Sequence, residues 1–247
     1  MQILKLEQGT KEWHDARRCK VTGTKLKAVM GTRDARTALI AELIAEKATE
    51  QSKAFVTTAE MERGNAEEIF AIRAFEEKTK KKVDRVGLCV HGKYDWVALS
   101  PDGLIKSANG KYEEAVEVKC PDSKKAVLYR IENMVPQLET GLAKWSKPTK
   151  AEPEPKLVVS TTAPFLGIPT EYKWQVDHYF VVNPDLKKLN FLVYDKRFID
   201  EEAQLYQVEV LRENEILQEA IKEAETELEK FRADWLKWEE LVMPTQF

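Results

Sequence analysis

Three polar residues in two short segments of the sequence have the types and spacing of a catalytic site. Asp102 lies in the turn sequence SPDG at residues 100–103, and Glu117 and Lys119 alternate with two valines in the sequence AVEVK. Successive side chains of a strand point to opposite faces, so Glu117 and Lys119 share one face while the valines face the core. On a buried strand, both charges are costly unless they are paired or bind a metal ion.

An oxygen-rich metal site forms if Asp102 meets Glu117 across a sheet. Two carboxylates and a backbone carbonyl, such as that of Val118, suit Mg²⁺ or Mn²⁺, which keep water ligands and bind phosphate oxygens. The ion would polarise a phosphate and lower the pKa of a bound water, while Lys119 orients that water or stabilises charge on the phosphate. A Glu-x-Lys pair is common, so an exposed ion pair on a strand is the simpler alternative.

The hydrophobic pattern predicts the elements that position these residues. Their order is helices, then a meandering sheet, then helix, strand and helix, which predicts an α/β (or α+β) fold with one central mixed β-sheet flanked by helices. The predicted helices cover residues 10–31 (broken at 21–24, with Thr22 or Thr24 as the second N-cap), 36–50, 58–78, 123–145 and 172–182. Residues 200–240 are predicted to be mostly one long helix or a broken pair. The predicted strands cover residues 82–91, 94–100, 103–106, 114–120, 157–160 and 189–194, with a turn at Asn109-Gly110.

Composition narrows the class of protein. The 247 residues suit one domain with a substantial core, and no run of apolar residues is long enough to span a membrane. The three cysteines form no CxxC pair, which argues against a zinc or iron–sulfur site and fits free thiols in a reducing cytoplasm. The net charge of −3 argues only weakly against nucleic acid, because binding depends on a local patch.

Four segments of the sequence together resemble the PD-(D/E)-x-K nucleases, and among them the phage lambda exonuclease or YqaJ-like viral recombinase family. The resemblance implies a restriction-endonuclease-like core and extends from residue 8 to about residue 195. The segments are 8–17 (QGTKEWHDAR) with 21–24 (VTGT), 64–71 (GNAEEIFA), 100–103 (SPDG) with 117–121 (EVKCP), and 172–176 (YKWQV).

This resemblance implies roles for individual residues. Asp102 and Glu117 would be metal ligands, beside the Val118 carbonyl suggested above. Glu68 would hold a second ion directly or through water, giving one or two Mg²⁺ ions per site. Lys119 would be the catalytic lysine, and Gln175 would support it or the nucleophile. The phosphate of a DNA end would be bound by Arg17, Thr24 and Thr22; threonine at position 24 replaces the serine that is usual in the family.

The resemblance also implies an activity and partners. The chain would degrade one strand of linear double-stranded DNA from 5′ to 3′ and leave 3′ overhangs for phage-type recombination. It would act as a homo-oligomer, a ring-shaped trimer, with a single-strand annealing protein, in the cytoplasm of a bacterial host of the phage or prophage. Lys119 and Gln175 are further apart in the sequence than is usual in the family, which indicates a proline-rich insertion at about 146–170. The chain is predicted to be a single nuclease domain, residues 1–247, with a C-terminal helical segment at 200–240.

Simpler interpretations stand beside these roles. Glu68 alone is a solvated helix carboxylate, Arg17 beside Arg18 is a surface pair, and Gln175 is a polar residue of an amphipathic helix. The three histidines have no partner pattern and are interpreted as structural or exposed. A structure-specific endonuclease of the same superfamily, or a non-catalytic DNA-binding or assembly protein, are the alternative functions.

Overall fold

Most of the helices begin at a polar N-cap residue. Of the two residues predicted to cap the helix that begins at Gly23, Thr22 is the N-cap, but its side chain makes no capping hydrogen bond. The structure, a computed structural model, describes residues 1–52, 58–150, 153, 155–160 and 167–243. Thr10, Thr32 and Asn214 each cap a helix by accepting a hydrogen bond from a backbone N–H of its first turn. The α-helices are α1 (Lys11–Arg17), α2 (Gly23–Val29), α3 (Arg33–Thr49), α4 (Ala59–Thr79), α5 (Ser123–Tyr129), α6 (Val135–Glu139), α7 (Lys173–Val182), α8 (Glu201–Gln204) and α9 (Glu215–Val242).

The strands of these residues form two sheets. A three-stranded antiparallel sheet has the order β1-β2-β3, and a six-stranded sheet has the order β4-β5-β8-β9-β7-β6. The strands are β1 (Gln2–Leu4), β2 (Leu88–Val90), β3 (Ala98–Leu99), β4 (Gly103–Lys106), β5 (Tyr112–Lys119), β6 (Ala143–Trp145), β7 (Leu157–Val159), β8 (Lys188–Tyr194) and β9 (Leu205–Leu211).

The six-stranded sheet is mixed, as the sequence predicted. β5 runs parallel to β8, and β7 runs parallel to β9, while β4–β5, β8–β9 and β6–β7 are antiparallel. The predicted β4–β5 hairpin is confirmed, with Gly110 at a φ of +80° in its turn, a conformation that glycine adopts without strain. Helices pack on both faces, so β5 and β8 are buried on each side.

The two faces of β5 have different neighbours. Val116 and Val118 face α4 and pack with Phe75 and Leu192. Glu117 and Lys119 project from the opposite face, which we call the site face; α7 lies over this face, because Gln175 and Tyr179 hydrogen-bond to Glu117. The predicted alternation along β5 is therefore confirmed, with the two charged residues on one face and the two valines in the core.

Two predicted strands are longer in the sequence pattern than in the structure. Residues 82–91 form a strand only at β2, and residues 94–100 only at β3. The flanking residues make single bridges to other partners: Asp84 pairs with Leu104, and Val97 pairs with Val21. Alternating hydrophobicity is shared by strands and by extended segments that make one bridge, so the pattern could not separate them.

The predicted helices at 123–145 and 200–240 are partly wrong. The first is α5, a π-helical turn at Arg130–Met134 and α6, after which β6 begins at Ala143. The second contains the strand β9 between α8 and α9. β9 is buried on both faces, so its sequence LYQVEVL lacks the clean alternation of a half-exposed strand.

The helices α3 and α4 and the strands β7 and β8 match the predicted segments within a few residues. Of the proline-rich stretch at 146–170, residues 151–152, 154 and 161–166 lie outside the described residues. Within the described part of the chain, no helix is long and apolar enough to cross a membrane.

Candidate active site

The β4–β5 hairpin brings Asp102 to the end of β5. Gly103 pairs with Val116, so Asp102 lies next to Glu117 and Val118 across the hairpin. The Asp102 Oδ2 atom accepts a hydrogen bond of 2.7 Å from the Val118 N–H. The sequence prediction that Asp102 and Glu117 meet across the sheet is thus matched by the geometry.

Glu117 and Lys119 form an ion pair on the site face. Glu117 is 1% exposed, and its Oε1 atom accepts a hydrogen bond from the Lys119 ammonium. That ammonium also lies 4.7 Å from the centre of the Tyr172 ring. Burial opposes the charged form of Lys119, but Glu117 and Asp102 outweigh it and raise the pKa of Lys119 to about 12. Lys119 is therefore a fixed positive charge at neutral pH.

Helix α7 supplies two side chains that fix Glu117. Gln175 donates from Nε2 to Glu117 Oε1 at 2.6 Å and accepts from Lys119 at 3.2 Å. One turn later, the Tyr179 hydroxyl donates to Glu117 Oε2 at 2.6 Å and accepts from the Asp102 N–H at 3.2 Å. Gln175 was predicted from the sequence. Tyr179 was missed, although its spacing of four from Gln175 places both on one helix face.

Glu68 reaches the same cleft from α4. The cleft has a volume of about 400 Å³ and includes Glu68, Asp102, Glu117, Lys119 and Gln175 in its lining. Glu68 pairs with Arg85 at 2.6 Å. Burial raises the pKa of Glu68 and nearby Glu117 adds to it, against the opposing pull of Arg85. Glu68 is thus a partly buried member of the cleft and not a freely solvated helix carboxylate.

Arg17 approaches the SPDG turn from α1. Its Nη1 atom donates to Ser100 Oγ at 2.5 Å, and its guanidinium lies 4.1 Å from the centre of the Trp13 ring. Burial lowers the pKa of Arg17 to about 10, which leaves it charged at neutral pH. Arg17 is therefore linked to the residue two positions before Asp102, and it is not a solvated surface pair with Arg18.

The two threonines lie at the start of α2, which packs against α7. Thr22 is 4% exposed, whereas Thr24 is exposed. Between them, Gly23 lies so close to α7 that an added Cβ would be 3.3 Å from Gln175 Cγ. The segment that contains Thr22 and Thr24 is thus adjacent to the residue that holds Glu117 and Lys119.

The charges of the cleft favour a cation. Burial raises the pKa of Asp102 well above its usual range, and repulsion from Glu117 and Glu68 raises it further, against the pull of Lys119. The donors are carboxylate and carbonyl oxygens, which suit Mg²⁺ or Mn²⁺. Among the described residues, however, no three acidic, histidine or cysteine side chains are close enough together to hold a metal ion as they stand.

The histidines take no part in this cleft. His178 is fully buried on α7 and its Nε2 atom is 2.8 Å from the Ala98 carbonyl oxygen. His91 accepts backbone hydrogen bonds from Lys93 and Tyr94 at the other end of the three-stranded sheet. These contacts match the structural roles expected from the sequence.

Comparisons with known proteins agree with the geometry. A family model described as the YqaJ-like viral recombinase domain matches residues 12–140. A crystal structure of LHK-Exo in complex with dAMP is 25% identical, with a TM-score of 0.68, covering 94% of this chain and 96% of that chain. No curated protein sequence matches the chain.

Two further structures share the fold at lower identity. A second structure of LHK-Exo, an alkaline exonuclease from Laribacter hongkongensis, is 24% identical with a TM-score of 0.64, covering 94% of this chain and 98% of that chain. A phage related exonuclease from Haemophilus somnus 129PT is 14% identical with a TM-score of 0.54, covering 92% of this chain and 96% of that chain.

Proposed function

Since the chain belongs to the YqaJ-like viral recombinase domain family and is a DNA exonuclease, we propose that it is a Mg²⁺-dependent enzyme. It degrades one strand of linear double-stranded DNA from 5′ to 3′ and leaves 3′ overhangs. The observation that supports this most is the convergence of Asp102, Glu117 and Lys119 in one cleft with Gln175 bonded to two of them. The strand polarity is proposed from the family resemblance.

The ligands of the metal would be Asp102, Glu117 and the Val118 carbonyl, with Glu68 serving a second ion. When bound, Mg²⁺ or Mn²⁺ would polarise the scissile phosphate and lower the pKa of a bound water. Lys119, held charged by Glu117 and Asp102, would stabilise negative charge on the phosphate oxygens. Gln175 would keep Lys119 and Glu117 in a single relative orientation, because it hydrogen-bonds to both.

The DNA end would be held beside the cleft. We propose that Arg17, Thr24 and Thr22 bind the terminal phosphate, with Arg17 positioned by Ser100 and Trp13. A planar guanidinium matches phosphate geometry with two parallel hydrogen bonds. The complex of LHK-Exo with dAMP, a deoxynucleoside monophosphate of the class that an exonuclease releases, supports a mononucleotide product here.

The assembly and setting are proposed from the family. The chain would work as a ring-shaped homotrimer on DNA, with a single-strand annealing protein that binds the overhang, in the cytoplasm of a bacterium that carries the phage. We further propose that residues 1–247 form one nuclease domain with an insertion at 146–170. One hydrophobic cluster supports this, because it joins Val21 of the N-terminal part to Trp235 of α9.

Nuclease assays on linear duplexes labelled at either end test the activity. With Mg²⁺, we expect nucleotides to be released from the 5′-labelled end first, and no release in EDTA. Lys119→Ala should lower the rate at least about 100-fold, because it removes a charge aimed at the reacting phosphate. Lys111→Ala, at an exposed lysine paired with Asp185, should leave the rate unchanged.

Three outcomes would contradict the proposal. Release that persists in EDTA or in Lys119→Ala would exclude the metal mechanism. Cutting of closed circular DNA would favour the structure-specific endonuclease. Earlier release from the 3′-labelled end would reverse the polarity.

A further inference from the structure

A second cavity opens at the same end of the six-stranded sheet as the candidate active site. Its volume is about 280 Å³, and its lining includes Lys78, Arg130, Trp145, Lys156 and Tyr206. The cavity combines cationic side chains with aromatic rings. None of these residues belongs to the cleft around Glu117.

The strand register aligns this cavity with the active site. Lys119 is in register with Val193 and, through it, with Tyr206. Glu117 is in register with Phe191, Val208, Leu157 and finally Trp145 on the edge strand β6. Paired residues of neighbouring strands project to the same face, so Trp145 and Tyr206 lie on the site face. Lys78 reaches the cavity from α4 on the opposite face, so the cavity lies at the end of the sheet.

Strand spacing gives the separation of the two sites. Neighbouring strands are about 4.8 Å apart, so Tyr206 is ~10 Å and Trp145 ~19 Å from the corresponding residues of β5. Helix α5 runs from one site to the other, because Lys125 lines the cleft and Arg130, which follows the helix, lines the cavity. These distances correspond to a few nucleotides of an extended single strand.

Arg130 contributes a positive charge to the cavity wall. Its guanidinium lies between the rings of Phe198 and Tyr206, 4.9 and 5.0 Å from their centres, and donates to the Ala203 carbonyl. Among the described residues Arg130 forms no ion pair, although Asp195 attracts it from further away, and its Nε atom has no hydrogen-bond partner. A partly buried charge without a close counter-charge is unfavourable, and an anionic ligand would supply one.

The other lining residues suit a nucleotide. Trp145 is 45% exposed although it is a large aromatic residue, which leaves its ring available for stacking. Lys78 donates to the Glu202 carbonyl at the rim, so its ammonium is near the opening. Lys156 is paired with Glu209 at 2.7 Å and contributes less net charge. Glu202, which is exposed, is the carboxylate of the lining.

We infer that this cavity binds a deoxynucleotide of single-stranded DNA, with the phosphate near Arg130 and Lys78 and the base stacked on Trp145. Proteins that bind single strands without sequence preference combine a cationic groove with aromatic stacking in this way. The ligand has two sources, the undigested strand and the released mononucleotide. The inference rests on the proposed function, because only strand degradation at the neighbouring site produces both.

Binding of a labelled oligodeoxythymidylate of about ten nucleotides, measured by fluorescence anisotropy, tests the site. The full chain is used in EDTA, so that no cleavage is needed. Trp145→Ala should weaken binding about fivefold or more, the factor for losing one base–aromatic contact, and Trp145→Phe should retain most of the affinity. Lys78→Gln should weaken binding and reduce its salt dependence, because one phosphate contact is lost.

Matched controls lie on α9, away from both sites. Leu236→Ala (50% exposed) and Lys230→Gln (62% exposed side chain) should bind like the unaltered protein. Equal affinity of Trp145→Ala and the unaltered protein, or an equal loss in Leu236→Ala, would overturn the inference. So would an equal loss of affinity for blunt duplex, since the cavity would then not distinguish single strands.

Competition with thymidine monophosphate separates the two sources. Displacement by the mononucleotide in the unaltered protein but not in Trp145→Ala identifies the released product as the ligand. Displacement by unlabelled oligonucleotide alone identifies the undigested strand. These binding assays need no catalysis. Loss of binding in Trp145→Ala would therefore support the nucleotide site even if the proposed nuclease polarity were wrong. Normal binding in Trp145→Ala would contradict the nucleotide site even if the nuclease assays succeeded.

Discussion

Glu117 accepts hydrogen bonds on both of its carboxylate oxygens. Lys119 and Gln175 bind Oε1, and Tyr179 binds Oε2. An ionised carboxylate offers about four acceptor positions, so roughly one remains for a further ligand. Glu117 is therefore fixed in orientation and still able to bind one cation, which is the arrangement that a single metal–oxygen bond requires.

Tyr179 is expected to position both acidic residues. Tyr179→Phe removes the donor to Glu117 and the acceptor of the Asp102 N–H, and leaves both groups unsatisfied in a buried place. We expect the nuclease rate to fall about tenfold or more, with a higher Mg²⁺ concentration needed for half-maximal rate, since one lost buried hydrogen bond costs about 1–3 kcal/mol. The measurement is the rate as a function of Mg²⁺ concentration.

Tyr206→Phe is the matched control for this change. The Tyr206 hydroxyl is buried and has no hydrogen-bond partner within the described ranges. Its removal should leave the Mg²⁺ dependence unaltered and should not lower the melting temperature. If Tyr179→Phe kept the same Mg²⁺ dependence and lost only thermal stability, Tyr179 would be a core residue without a positioning role.

The sequence predicted some residues of the cleft and not others. Gln175 and Glu68 were found through short family motifs, and the alternation in β5 identified Glu117 and Lys119. Tyr179 carries no such signal, because a tyrosine in an apolar helix is typical of a hydrophobic core. Only the register of α7 over β5 shows that its hydroxyl meets Glu117.

At the scale of elements, the start of β4 depends on a close approach. A Cβ added to Gly103 would be 2.1 Å from Val83 Cγ1 and would also touch Val116. Gly103→Ala should therefore displace the segment at residue 83 or the hairpin, and lower the free energy of unfolding by about 1–3 kcal/mol. Because Asp102 is adjacent, the nuclease rate should fall with it. Chemical denaturation and the duplex assay measure the two effects.

The control for this substitution lies within α4. A Cβ added to Gly64 would have no atom within 4 Å apart from the nearby backbone of its own helix. Gly64→Ala should raise the free energy of unfolding by about 0.5–1 kcal/mol, because alanine favours the helical backbone. A Gly103→Ala variant as stable as Gly64→Ala would show that Val83 and the hairpin move apart without cost.

The predictability of each element follows from its environment. Helices α3 and α4 have an apolar stripe, and their helical periodicity predicted them from the sequence. β9 lies between β8 and β7 in the interior of the sheet, where both of its faces are buried. Its sequence therefore shows no alternation of apolar and polar residues, and it was predicted as part of a helix. The short β6 was also missed, because it follows α6 after only a few residues and was predicted as part of the same helix.

At the scale of the whole molecule, the mixed sheet followed from the order of elements, but its strand order did not. The crossover from β5 to β8 spans the proline-rich stretch and α7, and it places α7 over the site face. Sequence separation gives no measure of such long-range pairing. The cavity near Trp145 likewise depends on the pairing of β6 and β7 with β9, which comes from a distant segment.

Two neighbouring residues of α7 link the stability of the molecule to pH in opposite directions. Asp177 is fully buried, and burial raises its pKa to about 6, with Glu223 of α9 adding to this against the ion pair with Lys173. Burial lowers the pKa of His178 to about 4. Between about pH 4 and 6 the folded state thus holds a proton on Asp177 that the unfolded state loses, while the unfolded state holds one on His178.

The pH dependences of stability due to Asp177 and His178 should nearly cancel in the unaltered protein. Asp177→Asn should leave only the pH dependence due to His178. As pH rises through the window between the unfolded and folded pKa values of Asp177, 3.8 and about 6, ionisation destabilises the folded state. The variant should therefore become more stable than the unaltered protein by an amount that grows from pH 4 to 6, reaching about 3 kcal/mol at most, and then stays constant. Urea denaturation at a series of pH values measures the difference.

Asp185→Asn, at an exposed aspartate paired with Lys111, should give no such trend. A stability gain that shrinks as pH rises would mean that the Lys173 ion pair, and not the burial of Asp177, determines the linkage.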